Sequence, residues 1–321
     1  MDIAYLLWLQ NLREGIGPTL DSFFNFITSI VVGPAAIIVV ATLYWCVDKR
    51  AGWYVLTSFA VGNNINQTLK DFFCVPRPWL RSADIHPSPA ALGGATGYSF
   101  PSGHSQTAAS IFGAAGWYYR HLGVWVLPLA GTLIVLAAFS RNILGVHTPQ
   151  DVLVGMTVGI LSLWLSSRLL SWMEQKTTAP LTVALTFMFV ALALMLYTVL
   201  KPYPIQGIAT TINVVEMQKD AFTTAGLLAG LGVSWWAEKN FVNFTIDRSN
   251  KRQIILRVIC GLGLIASCYV GILLPLKILT QSGFLYKFCT GFLLVVAGMA
   301  GGPALTQYIE KRQTQHTTDA R

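Results

Sequence analysis

The chain predicts an all-α fold, a polytopic membrane bundle of about nine transmembrane helices, and three observations carry that prediction. Of its 321 residues, 54% are hydrophobic and only 11% charged, whereas a soluble domain carries about 25% charged residues. Mean hydropathy is +0.55. The charges also leave long uncharged stretches along most of the chain, many close to the roughly 17–25 apolar residues that a helix needs to cross a bilayer.

In chain order, Ile3 to Leu12 is apolar around Trp8 but too brief to span. Asp2 precedes it, a basic n-region is missing, and Arg13 and Glu14 occupy the place of a cleavage site, so it does not read as a secretory signal. An interfacial helix and the ragged start of the first span both remain open. The uncharged gaps then begin: 26 residues between Asp21 and Asp48, 19 between Arg50 and Lys70, 20 between Arg120 and Arg141 and 16 between Asp151 and Arg168. Further gaps hold 24 residues between Lys176 and Lys201, 17 between Asp220 and Glu238, 19 between Arg257 and Lys277 and 22 between Lys287 and Glu310. The stretch from Asp84 to Arg120 divides into a Gly/Pro/Ser loop and a shorter apolar run, Gln106 to Tyr119. Together these make nine candidate spans.

An odd number of spans puts alternate loops on opposite faces. One face collects thirteen of the 22 basic residues, among them Lys49, Arg50, Arg168, Lys176, Lys251 and Arg252, and the other nine. Basic residues concentrate on the cytoplasmic side, so the N-terminus is expected outside and the C-terminus inside. The net charge of +8 follows from this bias and from contact with anionic lipids. Neither a basic helix nor a nucleic-acid module is present, so nucleic acid is not an expected partner. The cysteines (Cys46, Cys74, Cys260, Cys268, Cys289) are odd in number and scattered, without a CxxC pair, and read as packing residues.

Three motifs carry chemistry. Lys70-Asp-Phe-Phe-Cys-Val-Pro-Arg77-Pro78 follows a helix whose end bears Asn63, Asn64, Asn66 and Gln67. A proline on each side holds Arg77 extended, and a guanidinium fork with an ammonium can converge on one phosphate; cations just outside a span are also ordinary membrane anchors. Tyr98-Ser-Phe-Pro101-Ser102-Gly103-His104-Ser105 opens a helix. Ser102 fits its N-cap, Gly103 admits close approach of an oxygen, and the helix N-terminus is an anion site; His104 stands beside it as a general acid or a structural hydrogen-bonder. In Ser140-Arg141-Asn-Ile-Leu-Gly-Val-His147-Thr148-Pro149-Gln-Asp151, Thr148, Pro149 and Asp151 read as N-cap, N1 and N3 of the next helix. His147 lies just before it, and Asp151 can hold one ring nitrogen and leave the other as a nucleophile. Capping alone also accounts for Asp151, and the two roles are compatible.

All three motifs fall at span ends on one face. The pattern KxxxxxxRP…PSGH…SRxxxxxHxxxD is similar, position by position, to the type-2 phosphatidic acid phosphatase superfamily, which also includes glucose-6-phosphatase and the vanadate-dependent haloperoxidases. The resemblance is specific from about Asn63 to Gly159. It implies a helix-bundle core in which His147 is the nucleophile that forms a phosphohistidine, Asp151 orients it, and His104 protonates the leaving oxygen and then activates water. Lys70, Arg77, Ser102, Gly103 and Arg141 match the phosphate-binding set. Carboxylates that could hold a metal are not clustered near these motifs, Asp71 and Asp84 being isolated among basic residues, and neither metal nor cofactor is expected.

The expected organisation is residues 1–21 as an N-terminal interfacial segment, 22–175 as a catalytic membrane core and 176–321 as additional C-terminal transmembrane helices. Tyr98, Phe100, Trp79 and Phe73 flank the motifs and read first as an interfacial aromatic belt, with the lining of a lipid or sugar entrance as the alternative, and Gly155-x-x-x-Gly159 reads as a helix-packing seam. The loops Lys201 to Lys219 and Lys277 to Lys287 return to the face of the motifs, and Glu238 to Arg257 is expected in the cytoplasm. The expected activity is hydrolysis of a lipid phosphate at the outer face of the cell membrane. A sugar-phosphate phosphatase, favoured by the nine-span layout, and a lipid phosphotransferase are the alternatives. The sequence leaves the oligomeric state open.

Overall fold

The computed structural model describes residues 2–32, 34–176, 178–204, 213–246, 251–280 and 283–319, and no strand occurs among them. Helices α1 (Asp2–Ile16), α2 (Pro18–Val32) and α3 (Pro34–Thr42) lead through a π-helical turn, Leu43–Val47, into α4 (Lys49–Phe73). Two single-turn helices, α5 (Pro78–Arg81) and α6 (Pro89–Leu92), punctuate the loop before α7 (Gly103–Tyr119), α8 (Val126–Ile143) and α9 (Pro149–Gln175). The chain continues with α10 (Ala179–Leu200), α11 (Val214–Ala237), α12 (Lys251–Cys268), α13 (Leu274–Leu279), α14 (Phe284–Val296) and α15 (Gly302–Asp319).

Each of the nine predicted spans falls on helix. Among the described residues, five helical stretches are long and apolar enough to cross a membrane by length and composition: Val126–Ile143, Pro149–Gln175, Ala179–Leu200, Lys251–Leu279 and Phe284–Arg312. Among the rest, α7 has only 17 residues, and the amides near the end of α4 lower its average hydropathy. The N-terminal stretch is a helix of its own. Gly17, at φ +92°, ends it in a conformation that glycine adopts without strain.

The chain divides into two compact units. The first comprises Met1–Ile38, Tyr54–Leu169 and Leu196–Ala221 and contains all three motifs. Its helices α4, α7 and α9 meet along small residues. A Cβ on Gly155 would lie 2.5 Å from the Ser102 carbonyl oxygen, and one on Gly159 2.7 Å from that of Gln106. The Gly155-x-x-x-Gly159 seam is therefore where α9 reaches the backbone of α7, as close-packed membrane helices do. Behind it the hydroxyls of Ser110 and Ser162 stand 2.8 Å apart, and Ser58 is 3.2 Å from Ser162. The Gln106 amide donates to Ser110 at 2.8 Å. Polar groups buried away from water are held by one another in this way.

The second unit comprises Val39–Trp53, Leu170–Met195 and Phe222–Arg321. Ala191, Ala225 and Ala229 pack beneath Met188, Met195, Phe288 and Phe292. Tyr44 Oη and Trp45 Nε1 donate to the carbonyls of Met299 and Gly298 at 2.7 and 2.8 Å. Buried Glu238 is paired with Lys49. All five cysteines are free thiols.

Candidate active site

The site is built from four loop and helix-end segments of the first unit. After α4, Arg77 adopts φ −64°, ψ 153°, the extended form its flanking prolines require. That backbone sends its guanidinium inward: Nε donates to Gly97 O at 2.8 Å and Nη1 to Val146 O at 3.0 Å. Nη1 also lies 2.9 Å from His147 Nε2. Lys70, one turn before the end of α4, donates to Tyr98 O at 3.0 Å.

Ser102 is the N-cap of α7, at φ −71°, ψ 114°, and its hydroxyl oxygen accepts from Ser105 N and from Ser105 Oγ at 3.4 and 2.9 Å. The Ser102 hydroxyl proton is thereby left to donate toward a ligand. Ser102 N donates to Asp151 O at 2.9 Å, tying the start of α7 to the start of α9. His104, half-buried on the first turn of α7, lies in the electrostatic reach of Arg141, His147, Arg77 and Lys70.

The turn between α8 and α9 carries His147. The backbone N–H groups of Val146 and His147 both donate to Arg141 O at 3.2 Å, and Asn142 Nδ2 donates to His147 O at 2.9 Å. The predicted capping box forms: Thr148 N donates to Asp151 Oδ2 at 2.7 Å, and Asp151 N to Thr148 Oγ1 at 3.4 Å. Asp151 Oδ2 is 3.5 Å from His147 Nδ1. Ser99 joins the pair, donating to Asp151 Oδ2 at 2.6 Å with its oxygen 3.5 Å from Nδ1.

These contacts fix the tautomer of His147. Arg77 has only donors, so Nε2 must present its lone pair and the ring proton sits on Nδ1, facing Ser99 and Asp151. Burial, and then the Arg77 guanidinium, hold the imidazole well below its ordinary value, so it is neutral. Burial and the neighbouring Arg141 charge bring Arg77 down to about 9, which leaves it a cation at neutral pH.

Three basic side chains are buried here, Lys70, Arg77 and Arg141, each no more than 9% exposed, beside the buried carboxylate of Asp151. Burial and then the Arg77 charge bring Lys70 down to about 7, and an anion beside it would favour its charged form. Asp71, also buried, is engaged elsewhere: its carboxylate accepts from Thr198 at 2.8 Å and Gln67 at 3.0 Å. Arg141 Nε and Nη2 are buried without a hydrogen-bond partner among the described residues. Unpaired buried cations are costly, and a phosphate of charge about minus two would balance the excess. The donor set fits an anion rather than a metal, and no cluster of potential metal ligands occurs among the described residues.

The structure therefore brings His147, Asp151, Arg77 and Ser102 into direct connection, with Lys70, Arg141, His104 and Gly103 around them. Sequence does not single out Ser99 and Asn142, and it gives Asn66 only as one of the amides at the end of α4. Asn66 lies one turn before Lys70 on α4 and near Gly103, where a Cβ would sit 3.7 Å from its amide nitrogen. Tyr98 is not part of an aromatic belt: it is 1% exposed, packs on Met217, and donates to Pro204 O at 3.3 Å. Phe73 and Phe100 do meet, edge to face at 5.2 Å. Of the loops expected to return to this face, residues 205–212 and 281–282 lie outside the described residues, as do residues 247–250 of the segment expected in the cytoplasm.

The comparisons with known proteins agree with this arrangement. Residues 51–175 match the PAP2 superfamily, and residues 222–313 match its phosphatase transmembrane extension. The chain is 30% identical to phosphatidylglycerophosphatase B of Bacillus subtilis (strain 168) over 165 residues, covering 49% of this chain and 73% of the relative. It is 26% identical to lipid phosphate phosphatase delta of Arabidopsis thaliana over 51% of this chain and 41% of the relative. With phosphatidylglycerophosphatase B of Escherichia coli (strain K12) it shares 31% identity over 27% of this chain and 33% of the relative. No solved structure matches the chain significantly.

Proposed function

Because the chain belongs to the PAP2 superfamily, and is thus a membrane-embedded phosphoric ester hydrolase, we propose that it removes phosphate from a lipid through a phosphohistidine on His147, without metal or cofactor. The carrying observation is the 2.9 Å contact of Arg77 with His147 Nε2, which marks Nε2 as the unprotonated ring nitrogen. Lys70, Arg77, Arg141, the Ser102 hydroxyl and the first N–H groups of α7, where Gly103 leaves room, hold the three non-bridging oxygens. Their charge supplies the electrostatic stabilisation that phosphoryl transfer requires.

His147 Nε2 attacks phosphorus, the ester P–O bond breaks, and the alcohol oxygen takes a proton from His104. Burial and then the surrounding cations hold His104 well below its ordinary value, and a bound phosphate dianion offsets those cations so that the ring can carry the proton. Charge that builds on the His147 imidazole is met by Asp151 through Nδ1–H. In the second half-reaction His104 takes a proton from water, whose oxygen attacks phosphorus. The P–N bond then breaks and inorganic phosphate leaves with His147 restored.

Substrate class rests on the relatives, whose names specify a phosphatidylglycerophosphatase and a lipid phosphate phosphatase. A lipid monophosphate is thus the first choice, with lipid diphosphates next. The nine-span layout favours a second reading, a sugar-phosphate phosphatase. The excess of basic residues on the opposite face supports a site on the outer side of the cell membrane.

The test is a substrate panel of lipid monophosphates, lipid diphosphates and hexose phosphates, run on native protein and on His147→Ala. Turnover of lipid phosphate with an acid-labile, base-stable phosphoenzyme, both abolished in His147→Ala, is expected. Half or more of the native rate in that variant would remove His147 as nucleophile. Turnover of hexose phosphate alone would favour the sugar reading.

A further inference from the structure

Helix α1 lies outside the matched domain, which begins at residue 51, yet it reaches the turn that carries His147. Its buried face bears Leu6, Leu9, Gln10 and Arg13. Arg13 Nη1 donates to Ile143 O at 3.3 Å and Nη2 to His86 O at 2.5 Å, while Nε stands 3.4 Å from Asp21 Oδ1. Ile143 ends α8, so Arg13 answers a carbonyl that the helix leaves unpaired and puts a cation where the helix dipole favours one. Gln10 holds the same loop from both sides, accepting from His86 N at 2.7 Å and donating to Asp84 O at 3.1 Å.

Ser88 N donates to Leu144 O at 3.0 Å, so the 84–88 loop and the end of α8 are laced to each other as well as to α1. Gly145 follows at φ +73°. A Cβ there would lie 3.2 Å from Pro87 Cα and 3.6 Å from Arg13 Nη1. Two residues later comes His147.

The opposite face of α1 exposes Trp8, Leu12 and Ile16 at 60%, 42% and 56%, a four-residue spacing that makes one stripe. With 15 residues, α1 is about 22 Å long, too short to span. It packs on the end of α8, itself a candidate span, and so lies at the level where spans end. An apolar stripe with a tryptophan at that level meets the boundary between head groups and acyl chains.

We propose that α1 is a membrane-seated strap: Arg13 and Gln10 are positioning residues for the turn that carries His147, and Trp8, Leu12 and Ile16 rest in the bilayer interface on that face. The kinetic arm of the test rests on His147 as the reacting group; the seating arm does not.

For the seating arm, the full chain with Trp8→Cys, its native cysteines changed to Ser, is labelled with an environment-sensitive dye and placed in phosphatidylcholine/phosphatidylglycerol vesicles. Quenching by bromolipids is expected; quenching by aqueous iodide alone would overturn the seating. Changing Trp8, Leu12 and Ile16 together to Ser should lower kcat several-fold in vesicles and leave it native in detergent micelles. An equal loss in both, or dissolution of a dimer on size exclusion, would show that the stripe packs on protein instead.

For the kinetic arm, Arg13→Met should lower kcat by about 100-fold, the scale of an ångström-size misplacement, with KM within about twofold. Arg13→Lys, which keeps the charge and loses the two-point hold, should give an intermediate kcat at an unchanged melting midpoint. Native kcat in Arg13→Lys together with native or unfolded Arg13→Met would overturn the positioning role. Should the native chain turn over no phosphate ester at all, the proposed function fails while the dye still reports the strap.

Discussion

Ser99→Ala isolates a group that only the fold reveals. Its hydroxyl donates to Asp151 Oδ2 at 2.6 Å in a fully buried setting, and its oxygen lies as far from His147 Nδ1, 3.5 Å, as the carboxylate does. Removing it takes one charge-assisted hydrogen bond from Asp151, worth about 1.5–3 kcal/mol. It also removes one of two acceptors facing Nδ1–H at the moment positive charge grows on the ring. The Thr148 N–H bond to the same oxygen, at 2.7 Å, survives and keeps the carboxylate in place, so the loss falls on the chemical step. At about 1.4 kcal/mol per decade the expected fall in kcat is about 10- to 100-fold, with KM changed less than about twofold. The assay is phosphate release from a lipid monophosphate in detergent, with melting midpoints taken on the same samples. A kcat within twofold of native, or a higher one because Asp151 then closes directly on Nδ1, would refute the relay through Ser99.

Arg141→Ala, which removes the buried Nε and Nη2 that lack a partner among the described residues, should raise KM by about tenfold or more and weaken inhibition by inorganic phosphate or vanadate, since one phosphate contact of about 1.5–3 kcal/mol is lost; unchanged phosphate inhibition would contradict its place in the cradle. The pH profile follows from the downward shift of His147. An imidazole must be unprotonated to attack, so a depressed value keeps it reactive as pH falls through its ordinary 6.5 or so. Arg77→Gln removes a cation that depresses it and should move the acid limb of kcat/KM to higher pH relative to native, substrate ionisation being common to both; a limb that moves down or stays fixed is the contrary result. Gly155→Ala drives a Cβ to 2.5 Å from Ser102 O and should cost about 1–3 kcal/mol of stability, read as a lower melting midpoint together with lower kcat. Chelators should leave the rate unchanged, because the phosphate charge is met by cationic side chains; inhibition reversed by added divalent metal would reverse that reading.

What sequence could show of this site was set by local constraint. Pro76 and Pro78 force Arg77 extended, Thr148 and Asp151 form a capping box within one turn, and Ser102 caps α7. Each is decided by neighbours a few residues away, and each appears as expected. Ser99 has no such signature, because the carboxylate it serves is 52 positions along the chain. Arg13 finds the Ile143 carbonyl across 130. Such meetings depend on how helices pack, which a composition average does not resolve. The same averaging hides α4 as a span by hydropathy, because polar residues on it face other helices: Ser58 sits in one buried seam with Gln106 and Ser110 of α7, while α7 itself falls short by length, with 17 residues. Tyr98 misleads for the complementary reason. An aromatic near a span end is usually interfacial, but beside Gly97 there is room for Met217, and a Cβ at Gly97 would come within 2.9 Å of that side chain.

The Arg77–His147 contact has a consequence for how such a site avoids idle chemistry. The Nε2 lone pair accepts an Arg77 N–H, so the nitrogen proposed to attack phosphorus is already hydrogen-bonded. Arg77 Nη1 is also held by Val146 O, and Nε by Gly97 O, so the guanidinium cannot leave; it can only redirect one N–H. A phosphate dianion entering beside Arg141 offers that N–H a charged acceptor, and charge-assisted bonds are about twice as strong as neutral ones. Substrate binding then draws the proton donor off Nε2 and onto a phosphate oxygen in the same movement that sets phosphorus opposite the freed lone pair. On this account Arg77 is both a phosphate ligand and the guard of the nucleophile. Arg77→Lys, which keeps a cation but not the fixed fork, should therefore depress kcat more than it raises KM. A change confined to KM would mean that Arg77 only binds.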